Sequence, residues 1–223
     1  MAGSRYQRSM TNGDNLVKSQ KSTIYFHAGR EALYKIIDIR LLDYEWMLKW
    51  SYENTSDNTF TQTNTMTTTL RTRTGQENLE RFGVSAGFSN MGITATTEAG
   101  VEQKKFIEEE TTATTQSKQT YTVNPHSSIY IYQKVYNFEA DVWFKLDAYN
   151  DYWTVGNYER DGVANTLLDI EIHANEFQQT GQVWTGISHL RPVTVQSKDE
   201  KTNIKRFENC TGRAQDYLHT LGY

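Results

Sequence analysis

Threonine is the feature that constrains this chain most. Of 223 residues, 29 are threonine against 13 serine, and 19 of the 29 lie between Thr55 and Thr122. A β-branched side chain is stiff at χ1 and packs well on a pleated surface, so the excess favours sheet and disfavours a helix bundle. Proline would remove ladder donors, but it occurs only at Pro125 and Pro192, which leaves the first 124 residues able to build long strands. The threonines concentrate in two tracts, Thr55–Thr74 and Thr111–Thr122, each of which reads as a long, polar, weakly alternating strand. Such a strand buries little apolar surface on either face, so its register is held loosely. The tracts are therefore either plain exposed strands or strands that can exchange partners.

The flanks of the tracts carry the candidate core. Ile37, Ile39 and Leu41 alternate with Asp38 and Arg40. The apolar set then resumes one residue out of phase at Leu42, Tyr44, Trp46, Leu48, Trp50 and Tyr52, as a bulge or bend would produce. Arg30–Ile36 holds good helix formers and is the one stretch here that suits a helix. After Pro125, Ile129, Ile131 and Val135 share one face while Tyr130, Tyr132, Tyr136 and Phe138 share the other. That pattern predicts a strand covered on both sides, continuing through Ala140, Val142, Phe144 and Leu146. Leu167–Ile172 and Gln182–Leu190 predict two more strands, and Lys198–Tyr223 reads as a charged tail without clear period. Trp46, Trp50 and Trp184 are assigned to the core. The fold class is all-β.

Between the tracts, Phe82–Thr97 runs sixteen residues without a charge. Phe82, Val84, Ala86 and Phe88 alternate with Gly83, Ser85 and Gly87; Met91, Ile93 and Ala95 then alternate with Gly92, Thr94 and Thr96. A two-residue turn at Ser89-Asn90 pairs Phe88 with Met91, Ala86 with Ile93 and Val84 with Ala95, which gives one apolar and one polar face. A hairpin of this kind is what a transmembrane β-barrel requires, and in hydrocarbon its edges must be closed by further copies, which implies a homo-oligomeric ring. Seven alternating residues per arm fall short of the ~9–11 that a spanning strand needs. By pattern alone, an ordinary amphipathic hairpin packed on a core is the commoner structure.

The order of these segments resembles the aerolysin-like family of β-pore-forming proteins, over roughly Asn54–Gly186. Asn54-Thr-Ser-Asp57 leads into a Thr-alternating strand, followed by the Gly-rich insertion segment Phe82–Gly100 and a second Ser/Thr/Glu strand, Glu108–Thr120. Thr122-Val-Asn-Pro125 stands where the family often has Val-Pro-Pro, and Thr180–Ile187 is similar to its Gly-x-Tyr-x-Gly-Val strand. The resemblance implies an elongated fold of long twisted antiparallel strands with an amphipathic insertion hairpin. It also implies a protein secreted or released in soluble form, which binds a membrane lipid or a surface glycan or protein receptor and then assembles into a membrane-inserted ring. On that reading, residues 1–53 and 140–197 form a head lobe, 54–139 a pore-forming module with insertion segment 82–101, and 198–223 a C-terminal tail, which could be a removable peptide. Phe82, Val84, Ala86, Phe88, Met91, Ile93 and Ala95 would face lipid.

Other chemistry is weakly represented. A net charge of −4 argues against nucleic acid, which needs clustered Lys and Arg. The start carries no apolar run of signal-peptide type, and the single cysteine, Cys210, cannot form an intramolecular bridge. Asp169, Glu171 and His173 share a strand face that could ligate a metal, but such a face is more often solvated, with Ile170 and Ile172 inward. No phosphate loop, GxSxG or HExxH occurs, so neither an enzyme nor a cofactor or metal site is expected. Tyr149, Tyr152, Trp153 and Tyr158 form a candidate receptor-binding loop, because such rings stack on sugars or settle among headgroups. The sequons Asn54-Thr-Ser56 and Asn209-Cys-Thr211 carry little weight. A non-lytic all-β protein that binds glycans or builds an assembly is the competing function.

Overall fold

The computed structural model describes residues 5–10, 16–72, 76–84, 94–98, 102–105, 114–185, 188–190 and 201–223. Its strands are β1 (Arg5–Met10), β2 (Leu16–His27), β3 (Glu31–Asn54), β4 (Phe60–Thr72), β5 (Thr94–Glu98), β6 (Glu102–Lys105), β7 (Thr115–Val123), β8 (Ser127–Ala148), β9 (Asp151–Val155), β10 (Asn165–Thr180), β11 (Ser188–Leu190) and β12 (Ile204–Lys205). Its helices are α1 (Gln76–Phe82) and α2 (Gly212–Thr220). The fold is all-β, mostly antiparallel and elongated. β3 and β8 pair antiparallel along their whole length, from Glu31↔Ala148 to Asn54↔Ser127. At about 3.3 Å per residue, the 24 residues of β3 span roughly 80 Å.

These two strands are the spine of a ten-stranded sheet ordered β11-β1-β3-β8-β10-β4-β7. β2 pairs with the first half of β3 and β1 with the second, while β9 pairs with the end of β8 and β12 with β9. The phase jump after Leu41 is a bulge: Leu41 pairs with Phe138 and Asp43 with Asn137, which leaves Leu42 unpaired and 42% exposed. β8 is covered on both sides, as its two apolar faces predict.

Three expectations need correction. The stretch from Arg30 to Ile36 is not helical: from Glu31 onward it is β3, held between β2 and β8 with Ala32, Leu33 and Ile36 buried. Helix propensity differs by tenths of a kcal/mol per residue, whereas burying one Leu or Ile is worth about 1.5–3 kcal/mol. The strand expected over Gln182–Leu190 is present only as β11, with 186–187 outside the described residues and Gln182–Thr185 outside any strand. The segment read as a periodless tail has structure. A 3-10 turn at Phe207–Asn209 leads to α2, capped by the Thr211 hydroxyl accepting from Ala214 N, and Phe207, Cys210, Ala214 and Leu218 are buried in the main core. Ala214 and Leu218 stand one helical turn apart, a stripe too short to register as a period in sequence.

Apolar burial divides the sheet. A large cluster fills the end near Glu31 and Ala148, here called the head end, and extends past Tyr44 and Tyr136. A second cluster at the far end contains only Met66, Val123, Ile129 and Ile131, flanked by partly buried Trp50, Tyr52, Phe60, Tyr121 and Phe177. There Asn54, 1% exposed, donates its side-chain amide to the carbonyls of Asn58, Val123 and Asn124. That nitrogen is committed to closing the Thr55–Thr59 loop, which removes Asn54 as a glycan acceptor.

Candidate functional site

The two threonine tracts fold against each other. β4 and β7 pair without a bulge from Phe60↔Val123 to Thr68↔Thr115, and β7 is an edge strand of the sheet among the described residues. Opposed hydroxyls bond across the pair: Thr61 with Thr122 at 3.5 Å, Thr63 with Thr120 at 2.8 Å, Thr68 with Thr115, and Thr69 with Thr114 at 2.8 Å. Thr–Thr pairs contribute only about 0.2–1 kcal/mol each. This ladder is held by register and backbone more than by burial, and residues 73–113 connect its two strands at one end.

That end points toward the head. Thr72 pairs with Ile170, Ile170 with Phe138, and Phe138 with Leu41, so β4 stops level with Leu41. The main chain then turns back onto the sheet. α1 lies over the core, with Phe82 2% exposed and Val84 fully buried. The Lys35 ammonium, whose pKa burial lowers, donates to the Phe82 carbonyl at 2.6 Å. The Phe82 ring lies 6.0 Å from Tyr223, and Tyr223 packs edge-on against Phe144 at 4.9 Å and hydrogen-bonds Thr166.

The hairpin expected over Phe82–Thr97 is therefore not the arrangement of its first residues here. Phe82 ends a helix, Gly83 turns the chain at φ 64°, and Val84 faces the core. Ala95 pairs with Lys104 in the small β5–β6 sheet instead of with Val84. The reason is that Phe82 and Val84 find a large apolar cluster to enter in water. Ala86, Phe88, Met91 and Ile93 lie outside the described residues.

At the head end the structure separates the four candidate receptor residues. Tyr149 and Asn150 form a two-residue turn between β8 and β9, both left-handed at φ 59° and 63°, and Tyr149 is 71% exposed. Lys205 lies over the rings of Tyr149 and Trp153, at 4.9 and 4.6 Å, which brings those two together. Tyr152, next to Trp153 on β9, faces the opposite side, under Lys145 at 5.3 Å. Tyr158 stands apart, edge-on to Phe207 at 5.7 Å. The row Phe26↔Ala32↔Asp147↔Tyr152 adds an exposed ring that the sequence reading missed, Phe26, at 69%. The run Ile24-Tyr25-Phe26 before Ala28-Gly29 was the available signal for it.

The face of Asp169, Glu171 and His173, expected to be solvated, is exposed only at Asp169. Glu171 and His173 are buried, and Arg5 contacts both Glu45 at 2.6 Å and Glu171 at 3.1 Å. Among the described residues, no group of three His, Cys, Asp or Glu side chains could hold a metal ion. No helix among them is long and apolar enough to cross a membrane, which says nothing about crossing by strands.

No protein-family model matches the chain, and no curated protein sequence does. Among solved structures, it is similar to pro-Monalysin, an oligomeric pore-forming toxin, at a TM-score of 0.35 and 12% identity over 86% of this chain and 76% of that one. It is also similar to parasporin-2, a Bacillus thuringiensis toxin that recognizes cancer cells, at a TM-score of 0.21 and 17% identity over 69% of this chain and 75% of that one.

Proposed function

We propose that this chain is a soluble pore-forming protein that oligomerises on a target membrane and inserts residues 82–101 as an amphipathic β-hairpin. The observation that carries the reading is the β4–β7 ladder and the direction of its open end. Continued without a slip, the register Thr68↔Thr115 pairs Phe82 with Val101, Val84 with Ala99, Ala86 with Thr97, Phe88 with Ala95 and Asn90 with Ile93. Met91-Gly92 becomes the turn, in place of Ser89-Asn90. One face then holds Phe82, Val84, Ala86, Phe88, Ile93, Ala95, Ala99 and Val101, with Thr97 among them and Asn90 beside the turn, and the other holds glycine, serine, threonine and Glu98. Each arm has nine residues, which meets the ~9–11 needed to span a bilayer and removes the shortfall of the earlier pairing.

Length supports the same reading. Phe82 follows Thr72 by as many residues as separate Leu41 from Glu31, so in an extended ribbon Phe82 arrives level with Glu31 and Ala148, the head end of the sheet. Everything from Phe82 to the turn protrudes beyond it, by roughly 30 Å at ~3.3 Å per residue. That is about the thickness of a hydrocarbon core. Conversion removes Phe82 and Val84 from their protein core and returns them to an apolar environment, lipid. The threonine module then supplies the stem and the remaining sheet the head. Membrane closure of the exposed edges requires a ring of identical subunits.

Cysteine substitutions carrying a polarity-sensitive dye test this on liposomes. The native Cys210 does not compete, being buried with its thiol pushed up to about 11. In the membrane form, labels at positions 86, 88, 95 and 99 are expected to report a dry environment and those at 85, 87 and 96 a wet one. A Phe88→Cys/Ala95→Cys pair is expected to cross-link in the membrane form. Labels that all remain wet refute insertion, and cross-linking of Phe88→Cys with Met91→Cys instead refutes the continued register. Phe88→Asp is expected to abolish dye release with the soluble fold intact, since a charge on the lipid face costs about 2–4 kcal/mol in every subunit.

A further inference from the structure

We propose that the cleft at the head end binds the phosphate of an anionic lipid headgroup. The cleft has a volume of about 470 Å3 and lies between the β2–β3 turn, the β8–β9 turn and the start of α2. Arg30, Arg213 and His27 line it together with Tyr149 and Asn150. Two guanidiniums in one cleft present paired N–H donors in the planar geometry that suits phosphate oxygens, and the His27 imidazole adds a ring donor.

The cleft's own carboxylate leaves that capacity available. Glu31 accepts from the Tyr25 hydroxyl at 3.2 Å and stands 3.7 Å from Arg213, beyond hydrogen-bond distance. Arg213 is 46% exposed, and Arg30 has no ion-pair partner among the described residues. One positive charge remains in excess, in a chain whose overall charge is −4. A cationic cleft here is a local arrangement and not a sample of a basic surface.

The wall opposite the arginines is expensive to build. A two-residue turn with both residues left-handed suits Asn-Gly, yet this one exposes Tyr149 at φ 59°, at a cost of about 1–2 kcal/mol. Phe26 and Tyr152 are exposed at the same end, 69% and 53%. Aromatic rings beside arginines are the composition of a membrane interface, where the rings settle among headgroups and the guanidiniums meet phosphate. Assigning the phosphate to a lipid rests on the pore-forming reading, under which this end of the sheet meets the bilayer surface where Phe82 enters it. The anion chemistry of the cleft does not depend on that reading.

Cosedimentation of the full chain with vesicles tests the proposal without requiring pore formation. Vesicles of phosphatidylcholine with phosphatidic acid are expected to bind the protein at least about tenfold more tightly than phosphatidylcholine alone, as fits one or two charge-assisted hydrogen bonds. Arg30→Gln is expected to lose part of that preference, and Arg30→Gln with Arg213→Gln all of it, with an unchanged thermal unfolding midpoint. Arg30→Gln alone keeps the test sound if loss of the Arg213–Glu31 contact disturbs α2. Glycerol phosphate in solution is expected to shift the His27 resonances and to compete with the vesicles. Equal binding to both vesicle types, or an unchanged preference in Arg30→Gln and in the double variant, overturns the proposal. So does glycerol phosphate that occupies the cleft without displacing vesicles, or binding that requires an acidic glycan on neutral lipid. Wild-type binding that follows phosphatidic acid without dye release counts against pore formation and leaves the cleft assignment standing.

Discussion

The two ends of this sheet are held together by different means. At the head end, Leu33, Ile36, Trp143, Phe144 and Leu146 are fully buried, and α2 packs into the cluster that holds Leu33, Phe144 and Leu146. At the far end four buried apolar residues serve a ribbon whose outer strand is held by backbone pairing and a file of threonine hydroxyls. Apolar burial contributes about 25 cal/mol per Å2 and falls away as soon as side chains part, so it fixes one arrangement. Hydroxyl pairs cost little to exchange for water and keep their geometry when the ribbon lengthens. Apolar packing thus fixes the head, whereas pairing holds the ribbon, which under the proposed function lengthens toward the head. α1 is where they meet, a largely polar helix of the 73–113 connection whose Phe82, with Val84 just beyond it, is buried in the core of the head.

The largest expected effect lies in the rigid end. Phe144→Ala removes the ring beneath Tyr223 and is expected to cost about 3–5 kcal/mol in urea unfolding. A loss below 1 kcal/mol would show that the head is not what stabilises the molecule.

Tyr223→Ala addresses the junction. It removes the contacts with Phe82 and Phe144 and the Thr166 hydrogen bond, and is expected to favour opening of α1 by about 1–3 kcal/mol, read as faster amide exchange at Val84 and faster dye release. Unchanged exchange would mean that α1 is stored by other contacts.

Alkali probes the head end more gently. Burial and the neighbouring Glu31 push the Tyr25 hydroxyl up to about 12, so the fold favours the neutral phenol. Above its ordinary value near 10 the unfolded chain ionises first, and stability is expected to fall as pH rises from about 10 to 12. Unfolding midpoints of Tyr25→Phe should show a shallower decline over that window; an identical slope would assign the loss to other groups.

The smallest effects belong to the ladder. Thr63→Val with Thr120→Val removes a 2.8 Å hydroxyl pair but keeps the β-branched shape, and is expected to change stability by under about 1 kcal/mol. A loss as large as that of Phe144→Ala would erase the contrast between the ends. A disulfide from Thr63→Cys and Thr120→Cys should leave dye release unchanged, because the proposed conversion keeps β4 and β7 paired. Loss of release on oxidation, restored by reductant, would mean that the ladder must open.

The sheet was legible because its signals are local. The phase jump at Leu41–Leu42 marked a bulge, and the two apolar faces of Ile129–Phe138 marked a strand covered on both sides. The candidate site was legible only in part. Threonine alternation announced two polar strands, but not that they pair with each other, since residues 73–113 separate the ends of the pair. Arg30 and Arg213 meet across most of the chain's length, and no spacing rule connects them. Glu31–Ile36 looked helical because propensity is a property of the segment, whereas its place between two strands is a property of the whole.

By itself the sequence determined the alternation of side chains, and with it the all-β class, the polar tracts and the uncharged amphipathic segment between them. Period-two patterning specifies faces before any partner is known. The tertiary structure alone decided which strands are neighbours, that the ladder opens toward the head end, and that two arginines and a strained tyrosine share a cleft there. Those relations arise from packing between residues far apart in the chain, and the chain's local chemistry carries no record of them.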